Sequence, residues 1–278
     1  MSAPTLAAPA QFTPRLSLVD AKFSAAHEVI EGRYVVRLAR TSEEVEAALK
    51  LRFEVFNLEL GEGLASSFRT GRECDEFDLD SQHAIIIDRL QRRIIGAYRL
   101  RTYEIAKTIR GFHSSREFDL SALPHEILAN AIEVGRVCVI KAHRNSEAHI
   151  LLLKSLGLCL MQNHKRYVFG TLSLSTQDPM AAGRIFDRLS TEGYLHPEYR
   201  LRPYPGFKCL WSKLPETNQS DGAISSWLKI CLQLGAKLCG PPAINRQFRT
   251  IDFPIFLDGM QLHEMTGQIS FGTPPSLQ

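Results

Sequence analysis

Glu133 and Arg136 stand in the run Ile132-Glu133-Val134-Gly135-Arg136-Val137-Cys138-Val139-Ile140, which is otherwise apolar and reads as a buried strand. A charge taken out of water is costly unless it is paired or used, so both residues need a reason to be there. Residues three apart point to opposite faces of a regular strand. Gly135 lies between them and can host a bulge, which shifts the side-chain alternation and opens the hydrogen-bonded ladder. A bulged strand with a carboxylate at the kink places a general base, Glu133, beside unpaired backbone N–H groups. The alternative is a structural ion pair at a strand end.

The strand runs into Lys141-Ala142-His143-Arg144-Asn145-Ser146 and then the start of an apolar helix. Free N–H groups and the helix dipole favour an anion at such a junction. Lys141, His143 and Arg144 beside it make a phosphate site, with a solvated loop as the alternative. His83 and Asp88 have H-x-x-x-x-D spacing, but the intervening Ala84-Ile85-Ile86-Ile87 is strand and turns the pair to opposite faces. No serine nucleophile elbow, Walker A loop or dinucleotide glycine fingerprint is present. His143 and His149 lack a carboxylate at a useful spacing, so no metal is expected.

The elements that must position these residues follow from periodicity and punctuation. Residues 1–30 are rich in Ala, Pro and Ser without periodicity and read as a flexible leader. Tyr34 to Leu38 is a short strand. Thr41-Ser42-Glu43-Glu44 is a capping box opening a helix to about Leu60, with Val45, Ala48, Leu49, Phe53 and Phe56 on one face. A polar loop ends in the acidic Asp75-Glu76-Phe77-Asp78-Leu79-Asp80. His83 to Asp88 and Arg93 to Tyr103 form a hairpin over a basic turn, and a helical insert covers Leu123 to Ala129. A helix over 145–163, a strand over 167–173 and a helix from Pro179 to Leu189 follow, the last with Pro in its first turn. Ser225 to Lys237 is a helix with Trp227, Ile230, Cys231 and Leu234 on one side, and Thr250 to Leu257 is a final strand. This order predicts an α/β fold with a mixed sheet and one core over residues 31–260, followed by a tail over 261–278.

With 278 residues the chain has ample core material, and a formal net charge of +3 does not suggest nucleic acid binding. Basic residues nevertheless cluster at Arg89/Arg92/Arg93, at Lys141/His143/Arg144 and at Lys165/Arg166, as a solvated face or a dock for an acidic partner. The six cysteines lack metal-ligand spacing, and the N-terminus has no signal-peptide pattern, so free thiols in a cytoplasmic protein are expected. No run is long enough to span a membrane. The helix over 225–237 could contact a membrane peripherally, although its apolar face is more often core.

Arg52-Phe53-Glu54-Val55-Phe56, Asp75-Glu76-Phe77-Asp78, Tyr98-Arg99-Leu100 and Glu133-Val134-Gly135-Arg136 occur in the order seen in acyl-carrier-protein-dependent N-acyltransferases. That branch of the GNAT superfamily includes the acyl-homoserine lactone synthases. The chain most resembles the ornithine N-acyltransferases that make lyso-ornithine lipid. Leu234-Gly235-Ala236-Lys237, Cys239-Gly240-Pro241-Pro242-Ala243 and Thr250-Ile251-Asp252-Phe253 look like that family's C-terminal block. The resemblance implies a mixed, mostly antiparallel, splayed sheet flanked by helices, with Glu133 on the bulged strand. It also implies a 3-hydroxyacyl donor on the phosphopantetheine arm of acyl carrier protein, with no bound cofactor. The Gly-free loop at Lys141, His143 and Arg144 suits one carrier phosphate better than the pyrophosphate of CoA.

On this reading Glu133 and Arg136 are the catalytic pair, Glu133 acting as base directly or through a water. Asp75 and Asp78 hold the cationic acceptor or form an acidic loop capping the next strand, Arg99 and Arg136 bind the acceptor carboxylate or pair with those acids, and Arg52 and Phe56 belong to the acceptor side, Arg52 as the residue that holds the architecture of that corner. Two alternatives stay open. One is acylation of another amine, including an acyl-homoserine lactone type of signal synthesis; the other is a GNAT-like scaffold serving as a binding module.

Overall fold

Ala84-Ile85-Ile86-Ile87 and Ile94-Ile95-Gly96-Ala97 are apolar almost throughout, the mark of strands covered on both faces. In the computed structural model, which describes residues 28–144, 146–212, 224 and 226–261, they form the middle of a nine-stranded sheet. Leader residues 1–27, Asn145, Ser225 and the tail from 262 lie outside the described residues.

The strands are β1 (Val29–Glu31), β2 (Tyr34–Leu38), β3 (Gln82–Asp88), β4 (Arg93–Thr102), β5 (Phe118–Asp119), β6 (Ala131–Val139), β7 (Tyr167–Leu174), β8 (Arg202–Pro203), β9 (Lys237–Leu238), β10 (Ala243–Asn245) and β11 (Thr250–Asp258). The sheet order is β1-β2-β3-β4-β6-β7-β11-β10, with β9 also on β11, while β5 and β8 pair separately. Every contact in it is antiparallel except β6 with β7. The helices are α1 (Ser42–Arg52), α2 (Ser67–Thr70), α3 (Tyr103–Ala106), α4 (His125–Ala129), α5 (Ser146–Gln162), α6 (Pro179–Thr191) and α7 (Ser226–Gln233).

Local chemistry sets several boundaries. The Thr41 side chain accepts from the Glu44 N–H and starts α1, which continues as a π-helical segment over Phe53–Glu59. Asp178 caps α6 just before Pro179. Two expectations need correction. Val29 and Ile30, taken as leader, pair with β2, because they extend its ladder by three residues. The helix expected through Lys237 stops at Gln233; the chain turns at Gly235 and Lys237 enters β9.

The feature that shapes the site is where β6 and β7 part. They pair only from Ala131/Tyr167 to Val134/Gly170. On its other edge β6 stays on β4, but there Tyr98 alone faces Arg136 and Val137, since Ala97 pairs with Cys138 and Arg99 with Gly135. The expected bulge is therefore present, one residue later than expected. Arg136, not Gly135, takes the left-handed conformation, at φ +55°. Such a bulge bends its strand and increases twist, which carries the second half of β6 away from β7.

Gly170 is the last residue of the paired segment. A Cβ there would stand 2.2 Å from the carbonyl oxygen of Val134, a backbone atom that cannot rotate away. Gly170→Ala is expected to lower stability by about 3 kcal/mol, the upper range for overpacking. Urea unfolding of the purified variant checks this, and an unchanged midpoint would contradict it.

Candidate active site

Arg52, at the end of α1, is 1% exposed and needs partners. Its Nε donates to Glu73 Oε2 at 2.6 Å, and Nη1 and Nη2 fork onto Asp78 at 2.6 and 3.2 Å. Arg99 of β4 donates to Asp75 at 2.5 Å and Asp78 at 3.0 Å. Arg136 reaches Asp75 Oδ2 at 3.4 Å and stacks over Phe248 at 3.7 Å from the ring centre. Asp75 and Asp78 also form a reciprocal capping box on the 3-10 turn Glu76–Leu79. Three guanidiniums thus face three carboxylates in a nearly water-free cluster. Burial alone would raise the Asp75 and Asp78 pKa values, but the neighbouring arginines outweigh it and hold both carboxyls below the usual range.

Beside this cluster a cavity of about 300 Å3 opens in the cleft between β6 and β7. One wall is apolar, with Val55, Phe56, Leu60, Val137, Leu152 and Trp227. Arg99, Arg136 and His113 line it near the cluster, and Glu62, Asn245 and Asp252 line another part. Burial, then repulsion from Arg99 and Arg136, pushes the His113 pKa well below its ordinary value, so the imidazole is neutral at pH 7.

Glu133 lies under the cavity. Its carboxylate accepts from the His113 N–H at 2.7 Å, the Ser114 N–H at 2.7 Å and the Ser114 hydroxyl at 2.6 Å. It also lines a small space of about 10 Å3 with Arg99, Arg101, His113, Gly135 and Thr171, room for roughly one water. Glu133 and Arg136 are not paired with each other: the carboxylate holds the 113–114 turn, and the guanidinium holds Asp75.

Residues 51–154 match the family described as acetyltransferase (GNAT) domain. The chain is 28% identical over 242 residues to an L-ornithine N(alpha)-acyltransferase of Rhodobacter capsulatus, covering 83% of this chain and 92% of that protein. An enzyme of the same name from Brucella abortus is 27% identical over 237 residues, covering 81% and 84%. Among solved structures, the CoA-dependent acyl-homoserine lactone synthase MesI is 14% identical with a TM-score of 0.48, covering 84% of this chain and 95% of that one. FeeM, an N-acyl amino acid synthase from uncultured soil microbes, is 11% identical with a TM-score of 0.46, covering 87% and 96%. The chain is an acyl-transferring enzyme with the GNAT fold.

In this acyl-transferring enzyme the expected site residues divide. Phe56, Arg99, Arg136 and Arg144 line the cavity, Glu133 lies beneath it, and Asp75 stands behind Arg136. Arg52 and Asp78, expected on the acceptor side, do not reach it: each is spent on the other and on Glu73 or Arg99. The basic loop is also corrected. His143 is buried, with Nδ1 3.0 Å from the Tyr34 hydroxyl, because the apolar junction turns its ring inward. Arg144 forks onto Glu59 at 2.5 and 2.9 Å, and Lys141 stays exposed. Trp227 lines the cavity and packs against the core, so that side of α7 is interior. Among the described residues no helix is long and apolar enough to cross a membrane. All six cysteines are free thiols.

Sequence reasoning missed Glu73, Arg101, His113, Glu62, Glu117 and Asp252. Glu73 lies one residue before Cys74 and two before the acidic motif, and His113 precedes a Ser-Ser pair in an insert without periodicity. Asp252 was visible only as part of the C-terminal block.

The cluster gives the enzyme a defined acid response. Asp75 and Asp78 have lowered folded pKa values, so their stabilisation is complete above the unfolded value of about 3.9 and is lost as pH falls below it. His83 and His113 are also lowered and lose stabilisation below about pH 6.5. Glu62 and Glu117 are raised and act in the opposite sense, regaining stability as pH falls towards about 4.3. Thermal melts should therefore fall steeply below about pH 4, where both aspartates lose their stabilisation. Arg52→Ala should lower stability at pH 7 by about 3–5 kcal/mol, as expected for one partner removed from a buried ion cluster.

Proposed function

We propose that this N-acyltransferase moves a 3-hydroxyacyl chain from acyl carrier protein to the α-amine of L-ornithine, giving lyso-ornithine lipid. The observation that carries this reading is a cavity with two characters in the split between β6 and β7: an apolar wall suited to an acyl chain, and charged ends suited to a zwitterion. The named activity of relatives matched over more than 80% of the chain supports ornithine as acceptor.

The thioester lies along the second half of β6, where the edge towards β7 carries no strand partner. Backbone N–H groups on that edge stabilise the oxyanion as the amine nitrogen attacks the thioester carbon. The incoming ammonium first loses a proton through a water in the small space below to Glu133, whose position is set by His113 and Ser114. Collapse of the tetrahedral adduct forms the amide and breaks the C–S bond, and the thiolate takes up a proton. Arg136 holds the acceptor carboxylate. Enzyme thiols take no part: burial pushes the Cys138 thiol up to about 12, so it stays protonated. Lys141 and Arg144, at the end of β6, are the contacts for the carrier phosphate.

Purified enzyme mixed with 3-hydroxyacyl carrier protein and a panel of amino acids should give acyl-ornithine by mass spectrometry; activity with acetyl-CoA alone would overturn the reading. Glu133→Gln should lower kcat by about 10²–10⁴-fold. Ser114→Ala, which keeps the carboxylate and removes one donor to it, should cost less than about tenfold. Equal losses in the two variants would make Glu133 an anchor of the turn instead of a base.

A further inference from the structure

Three carboxylates gather at the cavity: Glu62 and Asp252 line it and Glu117 acts on Asp252 from behind, with the charges of Arg136 and Arg144 offsetting them only in part. Asp252 lines the cavity at 3% exposure, and no N–H or hydroxyl donor reaches its Oδ1. Glu117, 2% exposed, takes one bond on Oε1 from Asn245 Nδ2 at 2.7 Å, while its Oε2 is likewise reached by no such donor. Glu62 lines the same cavity and bonds the Ser175 hydroxyl. The nearby guanidiniums of Arg136 and Arg144 pair with Asp75 and Glu59, not with these three carboxylates.

A buried carboxylate oxygen without a donor is costly, and proteins keep such groups mainly where a ligand supplies what is missing. The missing element here is a cation with several hydrogens, reached from the cavity. Burial, followed by the charge of Asp252, also makes Glu117 hold its proton more tightly than an ordinary carboxyl does. Glu62 is raised too, by burial and by Asp252. Asp252 Oδ1 and the Glu62 carboxylate are the acceptors this part of the cavity offers.

We propose that Asp252 and Glu62, with Glu117 behind them, form the subsite for a second ammonium on the acceptor and so select amino acids with a cationic side chain. The inference rests on the acceptor reading above and deepens it. An ammonium presents three donors, enough to reach both Asp252 Oδ1 and the Glu62 carboxylate. The acceptor's carboxylate then lies towards Arg136, and its α-amine is left free for the thioester. An amino acid with a neutral side chain leaves Asp252 unpartnered and binds more weakly.

The test compares L-ornithine with L-norvaline, which has the same carbon chain and no side-chain ammonium, using acyl carrier protein loaded with a 3-hydroxyacyl chain. Wild-type enzyme should favour ornithine in kcat/KM by at least about 30-fold, the loss expected when one partner of a buried charge pair is removed. Asp252→Asn should bring that ratio to within a few-fold by raising KM for ornithine, with norvaline turnover kept. A purely structural role would lower both substrates alike and leave the ratio unchanged, and that result would overturn the subsite while leaving ornithine as acceptor. Wild-type enzyme that acylates norvaline as well as ornithine would also overturn it. Wild-type enzyme that ignores ornithine would overturn both readings. If Asp252→Asn does not fold, the same ratio measured on Glu62→Gln decides, with the same outcomes.

Discussion

The site depends on the burial of three guanidiniums against three carboxylates. Arg52, Arg99 and Arg136 come from α1, β4 and β6, and Glu73, Asp75 and Asp78 from the one segment between α2 and β3. Each ion would be several kcal/mol too costly alone. Together they neutralise one another and fix four chain segments in one geometry, and removing any member strands a charge. The cluster also sets what remains available to a substrate. Arg52 and Asp78 are consumed within it, whereas Arg99 and Arg136 reach its edge and present their remaining donors to the cavity.

Arg136 links this cluster to the backbone event that opens the fold. A non-glycine residue at φ +55° is uncommon, and here the side chain compensates by pairing with Asp75 and stacking on Phe248. The bulge turns β6 away from β7 just after the close contact of Gly170 with Val134. Side-chain electrostatics and strand geometry are thus two sides of one constraint. The guanidinium holds the bulge, and the bulge frees the β6 edge on which an acyl group can lie.

Much of the fold was legible because it is written in local patterns. Thr41, Pro179, the apolar triplets of β3 and the basic turn before β4 each mark a boundary through contacts within a few residues. The anomaly of Glu133 and Arg136 was legible for the same reason, since two charges in an apolar run are visible without knowing their partners. Their roles were not. Glu133 finds Ser114 in an insert that has no periodicity, and Arg136 finds Asp75 across 61 residues. The same distance problem hid His143, whose basic neighbours suggest an anion site while its ring turns to Tyr34 of β2. Short edge strands such as β9 and β10 escaped because two or three residues cannot show alternation.

The cavity joins two kinds of electrostatic environment that ordinarily occur apart. On one side the charges are complete and stiff, so the field there comes mainly from donors left over on Arg99 and Arg136. On the other, Asp252 and Glu117 each keep an oxygen without a donor, and burial and the charge of Asp252 raise Glu62 and Glu117. A zwitterion with a second positive group fits such a gradient in one orientation. The apolar wall of Phe56, Leu60, Val137 and Trp227 runs alongside and excludes the water that would screen it. On the proposed reading, selectivity for the acceptor and exclusion of water from the thioester rest on the same wall of the split sheet.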